Sequence, residues 1–208
     1  LQEVAKALEA IRGKYEQGNT TVHIIGFAKA MGDIAQGAAG VLIFFGVAFV
    51  ITSILLYWYS GSLMLTSLAL ICAIVPVIWL LGLLPVCGLG LDPMSILVPF
   101  LIFSIAVSHA VQMTNAWKLD VLHGADGVTA ARSSFMKLFI PGASALVANA
   151  VGFMVIAFVK IEMVQELVLT ATLGVTLMIL TNKLLLPILL SYLKLAPAQR
   201  KRIDPMIT

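Results

Sequence analysis

Five polar side chains stand on one stretch that carries no Asp, Glu, Lys or Arg: Ser104, Ser108, His109, Gln112 and Asn115 all fall in the run from Pro93 to Trp117. At 100° per helical residue, Ser104, Ser108, Gln112 and Asn115 share an arc of about 80°, and His109 lies some 60° beyond Gln112. Hydroxyls and amides at this spacing can bridge helices by hydrogen bonds, or they can line a path for protons or a polar ligand. The imidazole adds something the others lack, because it titrates near neutral pH. Two readings of His109 stay open: a neutral core histidine with its hydrogen bonds satisfied, or a group that handles protons.

A second set follows. Ser144, Ala148 and Gly152 recur at four-residue steps beside Ala145 and Asn149. Small residues at that period let another helix approach closely, which makes Ser144, Ala148, Gly152 and, in the last apolar run, Gly174 the expected packing positions. Asn149 has an amide that demands partners in mid-membrane. With Ser108, His109 and Gln112 it completes the candidate proton or transport relay. Thr170, Gly174 and Thr181 share a face of the last run, and Lys183 is expected to snorkel to the nearer interface.

Other chemistries find no support. No Gly-rich loop followed by Lys is present to hold a nucleotide. His23, His109 and His123 fall in three different environments and cannot meet on a metal. Cys72 and Cys87 are 15 residues apart on one helical run, roughly 22 Å, too far to bridge. The excess of 13 Lys and Arg over 10 Asp and Glu is small. It reads as membrane topology and not as nucleic-acid binding. No cofactor, no metal and no enzymatic activity are expected.

The elements that position these residues are dictated by solvent. The chain is 61% hydrophobic and 11% charged, with a mean hydropathy of +1.05, whereas a soluble chain is about 25% charged. A spanning helix takes about 20 apolar residues. Five are predicted, at 41–59, 63–84, 94–116, 141–159 and 167–193, in an all-α polytopic bundle covering 41–193. Ser60, Gly61 and Ser62 form the first turn, next to an aromatic belt of Tyr57, Trp58 and Tyr59. Pro85 to Pro93, with Gly88, Gly90 and Asp92, forms the second. An amphipathic helix at about 126–140, with Val128, Ala131, Phe135 and Leu138 on one face, is expected to lie in the interface.

Loop charges orient the bundle. Lys118, Arg132, Lys137, Lys194, Arg200, Lys201 and Arg202 fall on one side, and the short loops opposite carry only Lys160. The basic side is therefore expected to be cytoplasmic, with 194–208 as a cytoplasmic tail or linker and the N-terminal segment extracytoplasmic. In residues 1–27, Val4, Leu8, Ile11 and Tyr15 predict a helix, Gly18 and Asn19 a turn, and Val22, Ile24 and Ile25 a strand. That pattern suggests the end of a small α+β domain, with 28–40 as a helical lead-in. An exported segment without a preceding span also leads to the expectation that the chain is a fragment of a longer one.

The order of these features carries a resemblance. The run FSIAVSHAVQ from Phe103 to Gln112, the step Gly124 to Asp126, a basic amphipathic helix, PGASALVANAVGF from Pro141 to Phe153 and a final span centred on Gly174 resemble the membrane half of the resistance-nodulation-division superfamily. Within it, the nearest branch is the MMPL-type (hydrophobe/amphiphile) exporters, cousins of the sterol-sensing domain. Nearly the whole chain is covered, as the end of an extracytoplasmic porter domain followed by the second to sixth helices of a six-helix half. The resemblance implies a bacterial inner-membrane transporter that exports lipid-like or amphipathic molecules on the proton gradient. Membrane lipids and a second half or another subunit would be its partners. The alternative is a sterol-sensing-like sensor or assembly module that binds a lipid without pumping it. The family usually carries an Asp, often followed by Tyr, where this chain has Ser108 and His109. Three accounts follow: His109 takes over protonation, a second half supplies the carboxylates, or transport is not driven by protons in the usual way.

Overall fold

Hydrocarbon offers a polypeptide no hydrogen-bond partner, so apolar runs of this length must satisfy their own N–H and C=O groups as helix. The computed structural model describes residues 2–16, 21–90 and 95–194, and helices are the only regular secondary structure among them. They are α1 (Gln2–Tyr15), α2 (Phe27–Ser60), α3 (Leu63–Leu83), α4 (Val98–Leu122, entered through a 3₁₀ turn at Ser95–Leu97), α5 (Gly127–Ile156), α6 (Glu162–Ile179), a π-helical segment (Leu180–Leu185) and α7 (Leu186–Ser191). Five stretches are long and apolar enough to cross a membrane: Gly40–Ser60, Leu63–Leu83, Ser95–Leu122, Gly127–Ile156 and Glu162–Ser191. Among the described residues the architecture is thus all-helical and compatible with a multi-pass membrane protein. The expected turn at Gly18 and Asn19, the Asp92 end of the second loop and the tail beyond Lys194 lie outside the described residues.

Two compact units divide the chain, Leu1–Ala48 and Phe49–Thr208. In the first, Arg12 pairs with Glu9 and Glu16 along α1, and Lys29 joins Glu9 to Asp33. Hydrogen bonds to Asp33 and Glu9 hold the Lys29 ammonium above its ordinary pKa. The strand expected at Val22–Ile25 is not formed; residues 21–25 have no regular structure. A strand needs a partner for its ladder, and no other strand exists among the described residues. Residues 28–40 are continuous with the first span as α2.

In the second unit the core is a seam of small and branched residues. α3 buries Leu65, Ala69, Cys72, Ala73, Val77 and Leu80, a stripe at three- and four-residue steps. Against it lie Ala110, Met113 and Trp117 of α4, Ala130 and Ala131 of α5, and Leu186 and Leu190 of α7. Alanines in that seam let backbones approach, which matters in lipid because close van der Waals contact replaces the hydrophobic drive. One close crossing is at Gly174, where an added Cβ would stand 2.5 Å from Ile102 Cγ1 and 3.2 Å from Leu80 Cδ2.

The turns follow local chemistry. Gly61 (φ 68°) closes the α2–α3 turn and Gly124 (φ 104°) the α4–α5 turn, both in the left-handed region that a Cβ disfavours. Asp126 then caps α5, accepting from the N–H groups of Val128 (3.2 Å) and Thr129 (3.3 Å). The amphipathic helix expected at about 126–140 begins at this cap but is not a separate element. Residues 127–156 are one helix that passes through Pro141. The indole Nε1 of Trp117 donates to the Gly127 carbonyl at 3.0 Å, fastening α4 to the start of α5. At the same end the Lys118 ammonium lies 5.1 Å from the centre of the Tyr59 ring, and Lys137 pairs with Asp120 at 2.9 Å.

Candidate functional site

α4 delivers His109 to the bundle interior. Its buried face is set by Ile102, Ala106, Ala110, Met113 and Trp117, and His109 projects at the edge of that face, 8% exposed. Its Nδ1 has no hydrogen-bond partner. Ser108 and Gln112, expected in the interior with it, lie on the exposed side. Helical geometry explains the split: the polar arc is centred well over a quarter-turn from the Ala106–Ala110 face, and His109 is the one relay candidate on this helix close enough to that face to be enclosed.

The fourth span divides the same way. Its bundle face near mid-helix is carried by Gly142 and Leu146, both buried. Ser144 and Ala148 stand about 200° from those two residues and are exposed, as are Asn149 and Gly152. A Cβ on Gly152 would meet nothing within 4 Å. Among the described residues, then, the stripe of Ser144, Ala148 and Gly152 is not covered by a neighbouring helix, and Asn149 does not reach the interior.

The group that sequence reasoning placed elsewhere is Lys183. It does not snorkel; it is 1% exposed, between Asn182 at 0% and a run of apolar residues. Eight residues separate it from the end of α7 at Ser191, about 12 Å along the axis, more than a lysine stem can span. The local backbone is a π-helical turn in which the N–H of Leu186 reaches back to the Thr181 carbonyl. Pro187 lies just beyond and has no N–H to offer the carbonyl four residues earlier, that of Lys183, so the α ladder is broken at this point by sequence. Two signals could have revealed the site: the distance from Lys183 to the interface, and Gly142 on the facing span. The Lys183 Nζ occupies the space where a Cβ of residue 142 would stand.

Two elements, α4 and the π-helical segment, therefore bring an imidazole, an ammonium and an amide into the interior, and Lys183 is near enough for its charge to act on His109. Neither amide atom of Asn182 has a partner, nor does the hydroxyl of buried Thr170. No carboxylate balances the pair: the ion pairs among the described residues involve Lys29, Arg12 and Lys137, not Lys183 or His109. Among the described residues, no three His, Cys, Asp or Glu side chains converge as a metal would require. Compared with known protein families, curated proteins and solved structures, the chain matches none.

Proposed function

We propose that this chain is part of the membrane portion of a resistance-nodulation-division-type exporter of the MMPL branch, moving lipid-like or amphipathic molecules across a bacterial inner membrane on the proton gradient. One observation supports it most: a titratable imidazole, His109, sits inside the helix bundle with a ring nitrogen unpartnered. A proton drives a conformational change only if it binds two states unequally. An interior imidazole meets that condition when helix movement alters its solvation or its distance from Lys183, the charged residue that acts on it among the described residues. In this reading His109 does the work that a carboxylate does elsewhere in the family, while Ser108, Gln112 and Asn149 face a second half or subunit. The bundle's basic end is cytoplasmic, following the loop charges.

The test is transport in proteoliposomes carrying the full-length protein, with a fluorescent amphiphile as cargo and an imposed pH gradient. Gradient-driven efflux by the natural sequence, lost in His109→Gln, is the expected result, because glutamine keeps a hydrogen bond and cannot carry the proton. Equal gradient dependence in the variant, or no amphiphile movement at all, overturns the reading.

A further inference from the structure

We propose that Lys183, with His109 opposite it and Asn182 beside it, forms an anion site inside the helix bundle that takes one singly charged group, a small inorganic anion or the carboxylate head of an amphiphile.

The argument starts from charge. An ammonium enclosed among hydrocarbon is costly unless a counter-charge or several hydrogen-bond acceptors meet it. The acids on its own span are Glu162 and Glu166, 17 or more residues away and roughly 26 Å or more along the axis. The carboxylates nearest the opposite end are engaged, Asp120 with Lys137 and Asp126 with the start of α5. Enclosure also decides what kind of counter-charge can reach the site. Lys183 and Asn182 are buried on the inner side of the last span, so the proposed counter-charge is a small anion or a thin acyl carboxylate and not a helix of another chain.

The surroundings supply donors and no competing acceptor charge. His109 Nδ1 and the Asn182 Nδ2 are both buried and unpartnered, and an imidazole N–H and an amide N–H are what an anion needs once the ammonium has drawn it in. Two backbone features make the arrangement deliberate. Gly142 has no side chain in the space where the Lys183 head lies, and Asn182 and Lys183 are both buried in the π turn ahead of Pro187. This inference does not depend on proton transport, and the two fail separately: His109→Gln tests the relay, whereas Lys183→Met tests the anion site.

The experiment uses the full chain in nanodiscs of a zwitterionic lipid in gluconate buffer, titrated with sodium chloride, sodium dodecanoate or uncharged dodecanol. Binding is read both by thermal midpoint and by equilibrium dialysis of labelled dodecanoate or chloride. The expected result is saturable binding of about one anion per chain, weakened roughly 10- to 100-fold by Lys183→Met, as for loss of one charge-assisted hydrogen bond. Lys194→Gln, an exposed change, should leave it untouched. Binding of chloride assigns the site to a small anion, and binding of dodecanoate without chloride or dodecanol assigns it to an amphiphile head. Binding of dodecanol as tightly as dodecanoate, or dodecanoate binding that survives in Lys183→Met, overturns the proposal. Dialysis of the natural sequence decides independently of whether the variant folds: no saturable uptake of either anion also overturns it.

Discussion

The ammonium of Lys183 stands where residue 142 would carry its Cβ, so a charge on the last span and the absence of a side chain on the fourth are two halves of one fit. Neither residue explains itself alone. A lysine there without the gap would have no room for its head, and a glycine there without the lysine would leave a hole between two helices. The π turn completes the relationship, since it sets the direction in which Lys183 leaves the backbone.

Replacing Gly142 with Ala should therefore drive the Lys183 head out of its position, at a cost below about 3 kcal/mol because the atoms that must move are the end of a flexible side chain. Truncating the lysine by Lys183→Ala removes the clashing atoms. The double variant Gly142→Ala/Lys183→Ala should consequently be less destabilised than the sum of its parts, with a coupling of about 0.5–3 kcal/mol. Unfolding in a denaturing detergent series measures all four proteins, and strictly additive costs would show that the two residues do not meet.

A contrast between two glycines tests the packing of the bundle. Gly174→Ala places a methyl against Ile102 and Leu80 and should cost about 1–3 kcal/mol, whereas Gly152→Ala meets open space and should fall within about 0.5 kcal/mol of the natural chain. The same unfolding series reads both. If Gly152→Ala is the more damaging of the two, the stripe of Ser144, Ala148 and Gly152 is covered by a partner in the assembled protein.

What could be read in the sequence was what hydrocarbon enforces. The number of spans and their rough limits follow from apolar run length, whereas the small-residue stripe of Ser144, Ala148 and Gly152 lies on an exposed face. The limits of α2 and α5 were not legible, because nothing breaks the helix at 40 or at Pro141: residues 27–40 and 127–140 are continuous with the stretches that follow. Periodicity located the polar arc of Ser104, Ser108 and Gln112 correctly on one side of α4, but it could not say which side the other helices would cover. That choice belongs to tertiary packing, and it fell to the Ala106 and Ala110 side, enclosing His109 and leaving Ser108 and Gln112 outside. The strand at Val22–Ile25 failed for a related reason, since β-branched residues favour a pleat only where a second strand exists.

The two cysteines offer a topology test without any substitution. Cys87 is exposed in the loop after α3, and Cys72 is fully enclosed among α3, α4 and the last span. With the basic end in the cytoplasm, a membrane-impermeant maleimide added to intact cells should label Cys87 and spare Cys72. A His123→Cys variant, at the opposite end of α4, should be labelled only after the cells are opened. Labelling of His123→Cys in intact cells with Cys87 protected would invert the orientation.

The start of α5 supplies a pH dependence whose sign is fixed by its geometry. The Asp126 carboxylate is held below its usual pKa by the Thr129 hydroxyl, the backbone N–H of Thr129 and then that of Val128, and it also faces the positive end of the helix dipole. A carboxyl group whose pKa is lower in the folded chain than in the unfolded one adds stability at every pH above its unfolded value, about 3.9. That contribution fades as the pH falls through the lower, folded value, where both states are protonated. Asparagine caps a helix about as well as aspartate without the charge, and alanine does not cap at all. The thermal midpoint of the natural chain should thus exceed that of Asp126→Asn at neutral pH, and the gap should close as the pH is lowered into the acid range. Asp126→Ala should lie below both throughout. Comparing the natural chain with Asp126→Asn removes the contributions of every other carboxylate, since those titrate alike in both proteins. A gap that stays constant from neutral to acid pH would mean that the charge on Asp126 does nothing for α5, and that the cap acts through its hydrogen bonds alone.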